Sequence, residues 1–143
     1  GIDEESTPLA QAIAARFAGQ PVLLVEDDQI NQMAALALLA ETGLQIDVAD
    51  DGLAALEAVR RKRYALILMD LQMPHMGGLE ATSRIRNLPL GANIPIIAMT
   101  ANAFTEDKMR CLEAGMSDFT TKPIDPECLF STVLKWYRKT ATS

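Results

Sequence analysis

Several things are scarce in this chain, and each scarcity excludes a class of protein. Of 143 residues only two are cysteine, Cys111 and Cys128, and neither belongs to a CxxC pair or a metal-like cluster. They read as reduced thiols of a cytoplasmic protein rather than as a disulfide. No apolar run approaches the ~20 residues of a membrane span, and the N-terminus lacks a secretory pattern. Long runs of Lys or Arg are missing and the formal net charge is −6, so no nucleic-acid footprint is expected. A nucleotide loop of the GxxxxGK[ST] type is missing as well, which argues against an independent kinase. There is no internal repeat and no low-complexity tract.

What is present suits one folded domain. The chain is 49% hydrophobic, and a domain of this size buries roughly 70% of the surface its unfolded form exposes. Five short runs read as strands: "PVLLV" (21–25), "QIDVA" (45–49), "ALILM" (65–69), "PIIAM" (95–99) and "SDFTT" (117–121). The first, third and fourth are nearly continuous Val, Ile, Leu and Met, the signature of strands covered on both faces of a parallel sheet. The second and fifth are shorter or more polar and are expected nearer an edge.

Amphipathic stretches lie between them. Residues 29–41 carry Ile30, Met33, Ala34, Ala37 and Leu38 at helical spacings, with Gly43 as the stop. Residues 51–62 place Leu53, Ala55, Leu56 and Val59 on one side and Arg60, Arg61 and Lys62 in the last turn, where cations suit the helix dipole. Further helices are expected over 78–87, over 105–114 before Gly115, and over 126–139, opened by Asp125-Pro126. This alternation predicts βαβ units and a doubly wound α/β sandwich, a five-stranded parallel sheet with helices on both faces. The leading residues 1–20 read as an extension or linker in which Thr7-Pro8 caps a short helix with Leu9, Ile13 and Phe17 on one face. Residues 21–139 read as the folded domain and 140–143 as a tail.

In doubly wound sheets, ligands bind at the carboxyl ends of the strands. Glu26, Asp27 and Asp28 end the first strand, Asp70 the third, Thr100 the fourth and Lys122 the fifth. Each could simply be polar where its strand leaves the core, but four strand ends delivering phosphate- or metal-compatible groups together is a different matter. Two carboxylates about 5 Å apart repel by roughly 3 kcal/mol at an effective dielectric of about 20. A hard divalent cation removes that penalty, and Mg²⁺, which takes oxygen ligands and works beside phosphate, is the natural choice. With Lys122 as a compact cation and Thr100 as a hydroxyl donor, Asp70 becomes a candidate nucleophile that forms an acyl phosphate.

These motifs, "LLVEDD", "LILMDLQMPHMGG", "IIAMTANA" and "DFTTKPI", occur in the order and at the separations of a known family. Over about residues 21–139 the sequence resembles the receiver domain of two-component signalling, found in response regulators and hybrid histidine kinases. The resemblance implies a flavodoxin-like fold in which Asp70 accepts phosphate from a phosphohistidine. It implies Mg²⁺ held by Asp27, Asp70 and the backbone carbonyl of Gln72, with Glu26 acting through water. Thr100 would move to hydrogen-bond the phosphate, Ala101 would leave its amide accessible, and Lys122 would pair with the phosphoryl oxygens, with a cis peptide before Pro123. Phe119 stands at the switch-aromatic position and would turn inward as Thr100 moves.

The wording "EDDQINQ", "MDLQMP", "MTANA" and "KPIDPECLF" is nearest to hybrid-kinase receivers, and a stand-alone receiver is the alternative. The implied partner is a histidine kinase dimerisation domain or a histidine phosphotransfer protein, with no nucleic acid and no membrane contact by this domain. The domain itself would at most phosphorylate and dephosphorylate itself. Asp28 and Gly77 depart from the family pattern, the latter removing an N-cap candidate, and Gln72 and Asn102 flank the site where the family tunes dephosphorylation.

Plainer readings stand beside these. His75, the one histidine, reads as a loop residue beside the site rather than a phosphodonor or metal ligand. Met69, Met73 and Met76 read as core and loop packing. Leu129, Phe130, Val133, Trp136 and Tyr137 make the last helix apolar around its circumference, through incomplete burial or because a partner or second copy covers it. An aspartate-nucleophile phosphatase would need an acid/base carboxylate two residues after the nucleophile, where Gln72 stands. A flavin binder would want a hydroxyl- or Gly-rich loop where "EDDQIN" is acidic. A binding module without phosphorylation would be favoured by loss of Asp27, Asp70 or Lys122, and all three are present.

Overall fold

The computed structural model describes residues 8–71, 73, 76–100, 105–121 and 125–141. Five strands form one parallel sheet: β1 (Pro21–Val25), β2 (Gln45–Ala49), β3 (Leu66–Asp70), β4 (Ile96–Thr100) and β5 (Asp118–Thr121), in the order β2-β1-β3-β4-β5. Six α-helices accompany them: α1 (Pro8–Phe17), α2 (Gln29–Leu39), α3 (Gly52–Arg61), α4 (Gly78–Arg86), α5 (Thr105–Ala114) and α6 (Pro126–Ala141). The expected doubly wound sandwich is therefore present, and its two more polar strands, β2 and β5, are the edges. No helix among the described residues is long and apolar enough to cross a membrane.

Period-two alternation along the central strands divides the core. Leu23, Val25, Ile67, Met69, Ile96 and Ala98 face one apolar cluster together with Ala55, Leu56 and Val59 of α3, Ala81 and Ile85 of α4 and Cys111 of α5. Val22, Leu24, Leu66, Leu68, Ile97 and Met99 face the other, with Ala35 and Leu39 of α2, Leu129, Phe130 and Val133 of α6, and Ala10 and Ile13 of α1. Met69 and Met76 are buried in the first cluster and Met73 packs against it, in keeping with a packing role.

Several boundaries differ from the sequence reading. Strands β3, β4 and β5 begin one residue later than expected, because the parallel ladder pairs Ile67 with Ile96 through to Asp70 with Met99, and Ile97 with Asp118 through to Thr100 with Thr121. Asp70 and Thr100 thus sit inside the ladder as its last residues. Helix α2 stops at Leu39 and passes through a 3-10 turn, Ala40–Thr42, to Gly43, whose φ of +70° is a conformation that glycine adopts at little cost.

Most of the stripe read from the sequence on α2 turns outward, since Ile30 and Met33 are 77% and 69% exposed, while Leu38 packs partly against the core and Ala35 and Leu39 are buried. This helix is apolar on two sides, and periodicity alone does not choose between them. On α3, Leu53 is likewise exposed, whereas Ala55, Leu56 and Val59 are buried as expected.

The leading helix α1 is part of the packed body. Ala10 and Ile13 are fully buried, and Leu9, Ala12 and Phe17 pack against the same cluster as Phe130 and Val133 of α6. An isolated ten-residue helix is marginal in water, so its stability comes from this packing. Helix α1 thus covers part of the apolar surface of α6 from within the same chain, while the Tyr137 side chain lies outside the described residues. The turn from α1 to β1 is pinned where Gly19 N–H donates to the Gly43 carbonyl at 2.8 Å and Gln45 N–H to the Gln20 carbonyl at 3.0 Å.

Two side-chain assemblies hold the outer strands and loops. Asp47 on β2 accepts from Tyr64 Oη at 2.7 Å and Lys62 Nζ at 3.0 Å. These hydrogen bonds, Tyr64's first, hold the Asp47 carboxyl below its usual range, while burial and then Asp47 push the Tyr64 hydroxyl up. At the end of α4, the Arg86 guanidinium donates to the carbonyls of Gly91 (2.8 Å), Ile94 (2.7 Å) and Gly115 (2.9 Å). Burial makes its protonated form harder to keep, lowering its pKa, yet arginine remains charged across the physiological range.

Candidate functional site

At the carboxyl edge of the sheet, β1 and β3 are hydrogen-bonded neighbours with Val25 in register with Met69. The residues that follow are Glu26 and Asp27 on one strand and Asp70 on the other, so adjacency of the two strands alone brings the three acids together. One carboxylate oxygen from each lies within 4.8 Å of the others, with Glu26 and Asp70 buried and Asp27 exposed. Glu26 and Asp70 are only 2% and 4% accessible, so water screens them poorly. At such a separation each pair repels by roughly 3 kcal/mol at an effective dielectric of about 20. This donor set, all hard oxygens and open on the Asp27 side, fits a divalent cation of the Mg²⁺ class.

Hydrogen bonds fix the loop that presents these acids. Glu26 N–H donates to the Ala49 carbonyl at 3.1 Å, and Asp28 N–H to Glu26 Oε2 at 3.2 Å. Asp28 is the N-cap of α2, its Oδ1 accepting from Ile30 N–H at 2.8 Å and Asn31 N–H at 3.3 Å. The extra charge seen in the sequence is thus spent on the helix terminus, where a carboxylate is favourable. Gln32 Nε2 donates to the Glu26 carbonyl at 2.6 Å and to Asp50 Oδ1 at 2.9 Å. The sequence reading missed Gln32; its only signal there was a polar residue one turn inside an apolar helix.

Gly78 was missed as well. A Cβ built there would lie 2.4 Å from the Asp70 carbonyl oxygen and 2.9 Å from Leu71 Cα. Only a glycine lets α4 start this close to the strand end, and its N–H donates to the Leu71 carbonyl at 3.1 Å. Gly77, just before it, provides no side-chain cap, in keeping with the expected loss. The paired glycines after the "MP" turn were the available signal.

Thr100 closes β4, is 8% accessible, and shares its sheet face with Ala98, against which Phe119 of β5 is in register. Phe119 is partly buried and packs on the cluster beneath α3, α4 and α5. Hydroxyl and aromatic ring therefore lie on adjacent strands and one face. The remaining sequence-predicted positions, Gln72, His75, Ala101, Asn102, Lys122 and Pro123, lie outside the described residues.

Fold and site together define a flavodoxin-like α/β domain with an acidic, cation-ready edge. The chain belongs to the response regulator receiver domain family, whose model matches residues 22–134. Among curated proteins it is 43% identical over 121 residues to hybrid signal transduction histidine kinase I of Dictyostelium discoideum, a match taking in 80% of this chain and 7% of that protein. Sensor protein GacS of Pseudomonas syringae pv. syringae is 40% identical over 118 residues, 80% of this chain and 13% of that one. The chain thus spans a small part of these relatives' length.

Among solved structures it is similar to the receiver domain of sensor histidine kinase PA1611 from Pseudomonas aeruginosa PAO1, which has a magnesium ion coordinated in its active site cleft. That match has a TM-score of 0.78 and 41% identity, over 83% of this chain and 98% of the other. A second match is to the Saccharomyces cerevisiae co-crystal of the phosphotransfer protein Ypd1 with the receiver domain of Ssk1, with a TM-score of 0.75 and 30% identity, over 84% and 90%. Helix α1 precedes the residues that the family model matches.

Proposed function

We propose that this receiver domain takes a phosphoryl group from a phosphohistidine onto Asp70, and that it derives from a hybrid sensor histidine kinase. The observation that carries the reading is the meeting of Glu26, Asp27 and Asp70 within 4.8 Å at the edge of the sheet. An Asp70 Oδ forms the new P–O bond while the P–N bond breaks and its electron pair returns to the donor imidazole. Asp27, Asp70 and the Gln72 carbonyl would hold Mg²⁺, with Glu26 behind them, and a bound Mg²⁺ supplies the positive charge that lets phosphate approach three carboxylates. Lys122 pairs with the phosphoryl oxygens. Thr100 donates its hydroxyl to them, and Phe119 follows it inward, so that one covalent group shifts the population between two conformations.

The donor is a histidine kinase dimerisation domain or a histidine phosphotransfer protein. Ile30 and Met33, exposed on the first turns of α2 directly after the acids, give such a partner an apolar footing beside Asp70. The receiver proper spans residues 21–139 and works on the cytoplasmic side, where its phosphodonor would be. The likeness to kinases from several organisms supports the hybrid origin.

The test is intact mass after incubation with Mg²⁺ and a small acyl phosphate. Wild type gains one phosphoryl group, abolished by chelator, and Asp70→Ala gains none. A wild-type chain that stays unlabelled, under conditions that label a known receiver, would overturn the proposal.

A further inference from the structure

Helix α1 spans the height of the sheet on its α2 and α6 side. At its start, Pro8 and Leu9 line a groove with Asp125, Pro126 and Glu127, at the edge that carries the acids. At its end, Phe17 lines a second cavity with Arg63, Tyr64 and Ala65 ahead of β3 and with Pro95 ahead of β4, at the opposite edge. Between them Ala10 and Ile13 are fully buried in the cluster that holds Leu129, Phe130 and Val133 of α6. Its turn to β1 is three residues long, and α1 lies ahead of the matched residues 22–134.

A short route connects this contact to the site. Thr100 is in register with Thr121, the last residue of β5, and α6 begins at Pro126. Its first full turns carry Leu129 and Phe130, both without accessible surface. Close-packed cores respond to displacement by rearranging between discrete packings. A change at the end of β5 that moves the start of α6 therefore has to be absorbed where Ala10 and Ile13 meet it.

We propose that α1 is a response element of this domain, held against α6 while Asp70 is unmodified and loosened when Asp70 is phosphorylated. The inference rests on the phosphoacceptor reading of Asp70. Because Pro8 lines one groove with Asp125, Pro126 and Glu127, α1 starts at the edge where the phosphate arrives and is placed to respond to it.

The experiment uses the whole 143-residue chain with Mg²⁺. Hydrogen exchange of amides in residues 9–17 is followed with and without a small acyl phosphate, with intact mass read on the same samples. The expected result is a phosphoryl adduct together with exchange in α1 faster by about threefold or more. An adduct on most molecules with α1 exchange unchanged overturns this inference and leaves the Asp70 reading standing. Absence of any adduct overturns the Asp70 reading, and the inference falls with it.

Ile13→Ala, which touches no part of the site, should bring α1 exchange to its fast level with or without donor while labelling of Asp70 persists. If that variant does not fold, Ile13→Val removes one methyl group and should give an intermediate rate. An α1 as protected in Ile13→Val as in wild type overturns the assignment of its hold to this contact.

Discussion

Replacing Gly78 by alanine tests whether the start of α4 positions Asp70, the proposed phosphoacceptor. The added Cβ would stand 2.4 Å from the Asp70 carbonyl oxygen and 3.1 Å from its carbon, where ordinary contact begins at 3.4 Å. One of the two segments must therefore move by about 1 Å. Both neighbours in the overlap are backbone, so no flexible side chain can yield. Overpacking of this kind typically costs about 1–3 kcal/mol. A misplacement of about 1 Å at a reacting group can cost about a hundredfold in rate. Urea unfolding should report the first, and the initial rate of adduct formation with a small acyl phosphate the second. If Gly78→Ala lost less than about 0.5 kcal/mol and labelled at a rate within about threefold of wild type, the close approach would not be what places Asp70.

Removing the α2 cap by Asp28→Ala should cost about 1 kcal/mol in urea unfolding, whereas Asp28→Asn, an equally good cap, should cost little; equal losses would point to charge instead. Ile30→Ser with Met33→Ser should leave stability within about 0.5 kcal/mol and labelling by a small acyl phosphate unchanged, while slowing phosphotransfer from a protein donor. Equal effects on both donors, or none on either, would dismiss the apolar footing. The Asp47 carboxyl is held below its ordinary 3.8 by Tyr64 and Lys62, so its contribution to stability is complete above that value and fades as pH falls through its folded one. The stability gap between wild type and Asp47→Asn should accordingly narrow below about pH 3.8 in acid titrations of unfolding, and a gap constant to about pH 2 would refute the assignment.

Much of the fold was legible because its strongest signals are local. Continuous apolar runs marked β1, β3 and β4 as central, and the polar content of β2 and β5 marked them as edges. The convergence of Glu26, Asp27 and Asp70 followed from the rule that binding groups gather at strand carboxyl ends, without any side-chain geometry. The sequence was weaker where a choice depended on packing partners. Helix α2 offers two apolar sides, and only contact with β1 and α6 decides that Ala35 and Leu39 go in while Ile30 and Met33 stay out. Gly78 read only as the first residue of a helix, because the backbone it must approach is eight residues away and its crowding exists only once β3 and α4 are docked. For α1, a pattern of Leu9, Ile13 and Phe17 gave the helix, but burial of Ala10 depends on a neighbour more than a hundred residues later.

The Arg86 staple has a mechanical consequence. One planar cation joins the turn after α4, the lead-in to β4 and the turn after α5, and all three lie at the end of the sheet away from Asp70. That end works as a foundation. With Gly91, Ile94 and Gly115 tied to one side chain, that end resists being pulled apart more than an end held by backbone contacts alone. A lysine there, with a compact point charge in place of a forked plane, would lose the spread of donors that reaches Gly115 from one nitrogen and Gly91 and Ile94 from another.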